Sequence, residues 1–213
     1  MLNIKCFEVN IISENCYVVS DETKECVIID CGAWQQDEKE LIDGYIKENN
    51  LKVVEVLNTH GHFDHTWGNR HIYDKYGIKP RMSKEDSALY TNLAEQVKSF
   101  LNYEWKEATA PLGEYLVEEQ KIEFGKHELE VIFTPGHTRG GLCLYCKEER
   151  VLFTGDTLFY QSIGRTDFPG GNINEMMQSL HKISALPRET KVYPGHGPST
   201  TIGTEIDTNM YLR

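Results

Sequence analysis

A mixed α/β chain, with sheets covered on their outer faces by helices, is what the order of apolar patterns predicts. Three observations carry this: strand-like runs crowd the first thirty residues, helix and strand patterns then alternate, and further strands and helices close the chain. The opening runs are Ile4 to Val9, Cys16-Tyr17-Val18-Val19 and Cys26-Val27-Ile28-Ile29, a meander broken at Ser13-Glu14-Asn15 and Ser20-Asp21-Glu22. Leu41, Ile42, Tyr45 and Ile46 switch to helical spacing that ends near Asn49-Asn50, and the run Leu51 to Leu57 follows as a buried strand. Residues 66–76 and about 84–101 read as helices, the first stopped at Gly77. Two further strand runs lead to Thr134 and Gly155. Ile173, Met176, Met177, Leu180 and Ile183 share one face of a helix over 173–185, with Asn172 and Glu175 as its capping box. A short strand at 191–193 and a helix near 204–211 finish the chain. No linker or repeat divides the sequence, so residues 1–213 are expected to form one domain.

Hydrophobic residues at 39% and charged residues at 26% suit a globular domain large enough to bury a core without disulfides. A formal net charge of −11 argues against nucleic acid as a partner, because no surplus of Lys and Arg is present to neutralise phosphates. A small anionic substrate stays open, since divalent cations can reverse the field locally. Met1 to Cys6 lacks the basic segment and apolar core of a signal peptide, and no apolar stretch is long enough for a membrane span. A cytoplasmic location is expected, with no membrane partner. Of the six cysteines, Cys143 and Cys146 have CxxC spacing, but they fall in the strand-like Leu142–Cys146. Positions i and i+3 of a strand face opposite sides about 10 Å apart, so buried free thiols are expected rather than a zinc knuckle or redox pair.

The chemistry concentrates in Thr59-His60-Gly61-His62-Phe63-Asp64-His65. With eight His and ten Asp in 213 residues, HxHxDH arises by accident roughly once in two thousand such chains, so the match is specific. Imidazoles and carboxylates are ligands for borderline metal ions. His60 and His62 lie in the turn after a strand and can converge on one ion, with Gly61 allowing a tight turn, while Asp64 and His65 enter the next helix and can aim at a second. Three more strand runs end in a ligand type: Val131–Phe133 leads to His137, Val151–Phe153 to Asp156, and Val192-Tyr193 to His196. Strand ends delivering ligands to one edge of a core are a rigid way to pre-organise a metal site. His71, His127 and His181 lie on a helix, a hairpin turn and a helix, and read as surface or internally satisfied histidines.

HxHxDH, the histidine of Thr134-Pro135-Gly136-His137-Thr138, the aspartate of Thr154-Gly155-Asp156 and the histidine of Pro194-Gly195-His196-Gly197 together resemble the metallo-β-lactamase superfamily. The resemblance runs from Asn15-Cys16-Tyr17 to about residue 202. Gly164-Arg165-Thr166-Asp167-Phe168-Pro169-Gly170-Gly171 is similar to the glyoxalase II-like branch of thioester hydrolases. The resemblance implies a four-layered αββα sandwich with metals at the sheet edge. It implies His60, His62 and His137 on one ion, Asp64, His65 and His196 on the other, and Asp156 bridging, with Asp64 and Asp156 as the catalytic carboxylates. Two divalent ions are expected, zinc in the first place, with iron or manganese also compatible with N/O donors. Asp30 matches a position that supports the metal loop through hydrogen bonds. Arg139 and Arg165 could contact an anionic substrate, and Tyr160 could line the pocket.

A metal-dependent hydrolase of a thioester such as an S-acylglutathione is therefore expected, acting on a small molecule. The lactamases of the superfamily usually carry Cys where this chain has Asp156, which argues against β-lactam hydrolysis. The chain stops soon after His196, without the basic helical domain that holds glutathione in longer glyoxalase II enzymes. Cys31 stands where a proline is common, with no functional meaning attached. The alternatives are a mononuclear-iron persulfide dioxygenase, resting on His60, His137 and Asp156, and a lactonase or phosphodiesterase of the same fold. The dioxygenases usually read PAHD in the last ligand segment, where this chain has Pro194-Gly195-His196-Gly197. Oligomeric state is left open.

Overall fold

The computed structural model describes residues 1–212. Strands β1 (Asn3–Val9), β2 (Glu14–Ser20) and β3 (Glu25–Ile29) form the antiparallel meander, and helix α1 (Gln36–Glu48) crosses to β4 (Lys52–Leu57). Short helices α2 (Phe63–Thr66) and α3 (Asn69–Tyr76) lead to β5 (Pro80–Arg81). These strands make a five-stranded sheet in the order β1-β2-β3-β4-β5, parallel from β3 onward. After α4 (Ser87–Thr91) and α5 (Leu93–Leu101) come β6 (Lys121–Phe124), β7 (His127–Phe133), β8 (Leu142–Cys146) and β9 (Val151–Gly155). A small ribbon, β10 (Leu158–Phe159) with β11 (Ser162–Ile163), precedes α6 (Ile173–Ser184), β12 (Lys191–Pro194), β13 (Thr200–Thr201) and α7 (Ile202–Thr208). The second sheet runs β13-β12-β9-β8-β7-β6, with β12 and β9 parallel.

Burial shows how the layers stack. Tyr17, Val19, Val27, Ile29 and Leu57 of the first sheet pack against Leu129, Val131, Leu144, Phe153 and other residues of the second. The alternate residues Val18, Ile28 and Val56 turn to the opposite face, where Ile42 and Ile46 of α1 and Ile72 of α3 cover them. On the far side, Cys143, Tyr145 and Leu152 meet Met176, Leu180 and Ile183 of α6. Helix, sheet, sheet, helix is the expected αββα sandwich. Strands buried on both faces explain why the sequence shows near-continuous apolar runs instead of strict alternation. Cys143 and Cys146 fall in different clusters, on opposite faces of β8, and all six cysteines are free.

Several local expectations are corrected. The break at Ser13-Glu14-Asn15 is too wide: only Ser13 is left-handed (φ 58°), and β2 starts at Glu14, which is wholly buried. The helix over 66–76 divides into α2 and α3, because Gly68 packs onto the Cys31 backbone and donates to its carbonyl at 2.8 Å. The 84–101 helix is a 3-10 turn (Lys84–Asp86), then α4 and α5, parted at Asn92. Leu41, Ile173 and Met177 are exposed, so the buried stripes of α1 and α6 are narrower than the apolar spacing suggests. Asn172 caps α6 through Asn174 N and Glu175 N, and the last helix sits at 202–208 instead of 204–211. His71 and His127 meet Asp43 and Asp21 respectively, and His181 is exposed, as expected of non-ligands.

Two buried carboxylates tie distant segments. Asp86 accepts from Gly61 N at 2.9 Å, Thr138 Oγ1 at 2.7 Å and Gly140 N at 2.7 Å, joining the turn after β4 to the loop after β7. Asp86→Ala strands three buried donors and is expected to cost about 1–3 kcal/mol, read by urea unfolding, with faster amide exchange at Gly61 and Gly140. Asp21 accepts from Thr23 N, Thr23 Oγ1, Lys126 N and His127 Nδ1, tying the β2–β3 turn to the β6–β7 hairpin. Burial opposes its charge, but these donors outweigh burial and hold the carboxyl below its ordinary value. A lowered carboxylate stabilises the fold above its unfolded value near pH 4 and loses that contribution as pH falls toward the folded value. Asp21→Asn is therefore expected to lower stability by about 1–3 kcal/mol at pH 7, with the difference from wild type shrinking below about pH 4.

Candidate metal centre

The ends of β4, β7, β9 and β12 meet at one edge of the two sheets, and the seven predicted ligands gather there. Five are buried, and Asp156 and His196 are partly exposed at the mouth. His60, His62 and His137 have ligand atoms within 4.8 Å of one another, as do Asp64, His65 and His196. Asp156 stands between the two groups: Oδ2 is 3.4 Å from His137 Nε2, and Oδ1 is 3.3 Å from His65 Nε2 and 3.7 Å from His196 Nε2. Asp64 Oδ2 lies 3.3 Å from His196 Nε2 and 3.6 Å from His65 Nε2.

Hydrogen bonds behind the rings decide which nitrogen faces the centre. His137 Nδ1 donates to the Arg165 carbonyl at 2.7 Å and His196 Nδ1 to the Ser13 carbonyl at 3.2 Å, which leaves each Nε2 with a lone pair turned inward. Thr59 N and Oγ1 donate to Asp30 at 2.7 and 2.6 Å, so Thr59 Oγ1 accepts from His60 Nδ1 at 3.1 Å. His65 Nδ1 is 3.1 Å from Asp30 Oδ2. Asp30 thus orients the His60 ring through Thr59 and stands beside His65 Nδ1.

Three inward atoms, His60 Nε2, His65 Nε2 and Asp156 Oδ1, are buried without a hydrogen-bond partner, while His62 Nδ1 donates to His137 Nε2 at 2.8 Å. Burial and the neighbouring imidazoles push His60 well below its ordinary value and His62 down to about 4, so both rings are neutral at pH 7. Burial opposes a charge on His65, but Asp156, Asp64 and Asp30 outweigh it and raise its pKa, while His65 in turn helps hold both Asp64 and Asp156 low. Converging lone pairs and carboxylates with orphaned atoms are costly unless a cation meets them. The donor set fits two divalent ions that share Asp156.

Close backbone approach makes this packing feasible. A Cβ on Gly195 would stand 2.5 Å from Asp156 Oδ1 and 2.6 Å from His65 Cε1. Gly61 also has a different task from the one expected: it is not left-handed, and a Cβ there would meet the Asp86 carbonyl at 2.8 Å. Asn15 and Tyr17 clamp the His196 loop, with Asn15 Nδ2 donating to the Pro194 and Gly197 carbonyls and Tyr17 Oη to Pro194.

The centre opens on a cleft of about 530 Å³ lined by His62, Asp64, His137, Asp156 and His196 together with Ile12, Phe63, Phe100, Phe159, Ile163, Phe168, Ser162 and Arg165. Arg165 does reach the cleft, but its guanidinium is paired with both Asp167 oxygens at 2.8 and 2.7 Å and lies 3.7 Å from the Phe168 ring centroid. Arg139 and Tyr160 are exposed and are not among the residues lining the cleft, whereas Phe159 is in its wall. Sequence reasoning missed Glu14, Asp86 and the aromatic wall. Glu14 is fully buried behind the centre, 3.8 Å from His65 Nδ1, with both oxygens unpartnered, and burial pushes its carboxyl up. Its only signal was a charged residue beside an apolar strand, which ordinarily marks a surface turn.

The chain also resembles known proteins. It is 35% identical over 204 residues to "Probable metallo-hydrolase YqgX" of Bacillus subtilis, covering 94% of this chain and 93% of the relative. It is 33% identical over 213 residues to "Hydroxyacylglutathione hydrolase GloC" of Haemophilus influenzae, covering 99% and 98%. Among solved structures, one described as BLEG-1 B3 metallo-beta-lactamase matches with a TM-score of 0.87 and 33% identity over 100% of this chain and 99% of that one. Another, TTHA1623 in a di-iron-bound form, matches with a TM-score of 0.86 and 31% identity over 98% and 100%. The profile of the family described as "Metallo-beta-lactamase superfamily" matches residues 10–196, and the chain belongs to that superfamily.

Proposed function

We propose that this superfamily hydrolase is binuclear and cleaves thioesters. The observation that carries the reading is the convergence of seven donors, with orphaned lone pairs, at the foot of an open cleft. His60, His62 and His137 would hold one ion, Asp64, His65 and His196 the other, and Asp156 both. The di-iron form of a structural relative supports two ions, and the relative named hydroxyacylglutathione hydrolase supports a thioester. Bound divalent ions supply Lewis acidity toward a carbonyl oxygen and bring the pKa of water to near 7.

The chain's own groups then have distinct tasks. Asp156, with one oxygen toward each half of the site, fixes their spacing. Asp64 faces the cleft beside His196 and is the carboxylate placed to receive a proton from the attacking water and return it to the departing sulfur. Both carboxylates offset the cationic charge, so water stays nucleophilic. Asp30, through Thr59, keeps the His60 ring in the orientation that leaves Nε2 free, and it stands 3.1 Å from His65 Nδ1. Hydrolysis by a polarised water needs no protein nucleophile, and among the described residues lining the cleft there is no cysteine. The mononuclear-iron alternative needs only His60, His137 and Asp156, and it leaves the gathering of Asp64, His65 and His196 without a purpose.

Metal analysis of the purified protein is expected to give two ions per chain. Chelation is expected to abolish hydrolysis of S-lactoylglutathione and of a generic thioester, and zinc, iron or manganese to restore it. One iron per chain with oxygen uptake on glutathione persulfide would replace this reading with the dioxygenase. Turnover of a cephalosporin in preference to any thioester would replace the substrate class. Asp156→Asn is expected to lose metal and to lower kcat/KM by more than the roughly 10–100-fold that outer hydrogen-bond partners cost.

A further inference from the structure

The walls of the cleft carry information about the groups on either side of the scissile bond. On the side of His62 and His137, Phe168 stands 5.9 Å from the His62 ring, Phe100 packs edge-on against Phe168 at 4.9 Å, and Phe63 lies 5.4 Å from Phe100. On the side of His196, Phe159 lies 6.0 Å from the His196 ring, with Ile163 and Ile12 nearby in the lining. A carbonyl placed between the two halves of the centre therefore sends one substituent toward each apolar wall.

Charge points the same way. Among the described residues lining the cleft, Arg165 is the one cation apart from the histidines, and Asp167 already neutralises it bidentately. A glutathione moiety carries two carboxylates and an ammonium. Moving these into a cleft without partners costs free energy that an apolar arm does not incur. The chain's net charge of −11 adds a repulsive field for an anionic arm away from the metals. The exposure of Phe100 (46%) and Ile12 (39%) beside the centre leaves apolar surface that a substrate arm would cover.

We propose, building on the thioester reading above, that the preferred substrate is an uncharged thioester bearing apolar groups on both the acyl and the thiol side, and that glutathione conjugates are poor substrates. The reaction balances as simple hydrolysis: water adds at the carbonyl carbon, the C–S bond breaks, and a carboxylic acid and a free thiol leave. Recognition comes from stacking and burial against the phenylalanines, with no ionic anchor.

Four probes test this on the metal-loaded enzyme: the acetyl and benzoyl thioesters of glutathione, and the same two acyl groups on the neutral thiol N-acetylcysteamine. The benzoyl probe is expected to exceed the acetyl probe by about 10-fold or more in kcat/KM, mainly through KM, and N-acetylcysteamine to exceed glutathione by a similar factor. Phe100→Ala, a change at an exposed side chain that leaves the core filled, is expected to cut the benzoyl-to-acetyl ratio by about 3-fold or more. Equal or better turnover of the glutathione probes, or no acyl preference, would overturn the substrate class while the hydrolase reading stands. Failure of all four probes with two ions bound would sink both.

Discussion

The structure depends on a cluster of buried imidazoles and carboxylates that face one another, with His60 Nε2, His65 Nε2 and Asp156 Oδ1 left without a hydrogen-bond partner. Such a cluster is destabilising for a bare polypeptide, because those inward atoms have given up water and gained nothing. It persists because three of the rings are held from behind, His60 through Thr59 and Asp30, His137 through the Arg165 carbonyl, His196 through the Ser13 carbonyl. These outer bonds set the tautomers of those rings, and the tautomers turn their Nε2 atoms to the same centre. A divalent cation is the species that such an arrangement accommodates.

The sandwich supplies the rigidity. β4 brings the His60–His65 loop from the first sheet, while β7, β9 and β12 bring the remaining ligands from the second. The shared interior core keeps those strand ends in register with one another. Separate clamps then join the two contributions: Asp86 ties the Gly61 turn to the Gly140 loop, and Asn15 and Tyr17 hold the His196 loop against β2. Strand positions alone would leave the loops free by an ångström or more, and ligand geometry tolerates less than that.

Around this polar centre the cleft changes character abruptly. Phenylalanines from α2, α5, β10 and the segment before α6 form a rim that lies close to the histidine rings. Chemistry and selectivity meet in the loop after β4, where Phe63 stands between His62 and Asp64. Phe100, Phe159 and Phe168 lie on segments that carry none of the seven donors and can vary without disturbing them.

The gathering of seven donors was legible in the sequence because the pattern is local and dense: HxHxDH places four donors in six residues, and the other three each follow a strand run by three or four positions. The layer order was legible too, since strands buried on both faces show as unbroken apolar runs and α6 as a spaced apolar stripe. Tertiary structure alone decided which polar residues serve the site. Glu14 looks like a turn residue and is buried, Asp86 looks like a helix-start acid and clamps two loops, and Arg139 and Tyr160 lie near ligands in sequence yet are not among the residues lining the cleft. The reason is physical: a metal ligand announces itself by residue type and spacing, whereas a supporting bond or a cleft wall is made between segments as much as 183 residues apart. No local pattern encodes which of those segments the folded core will bring together.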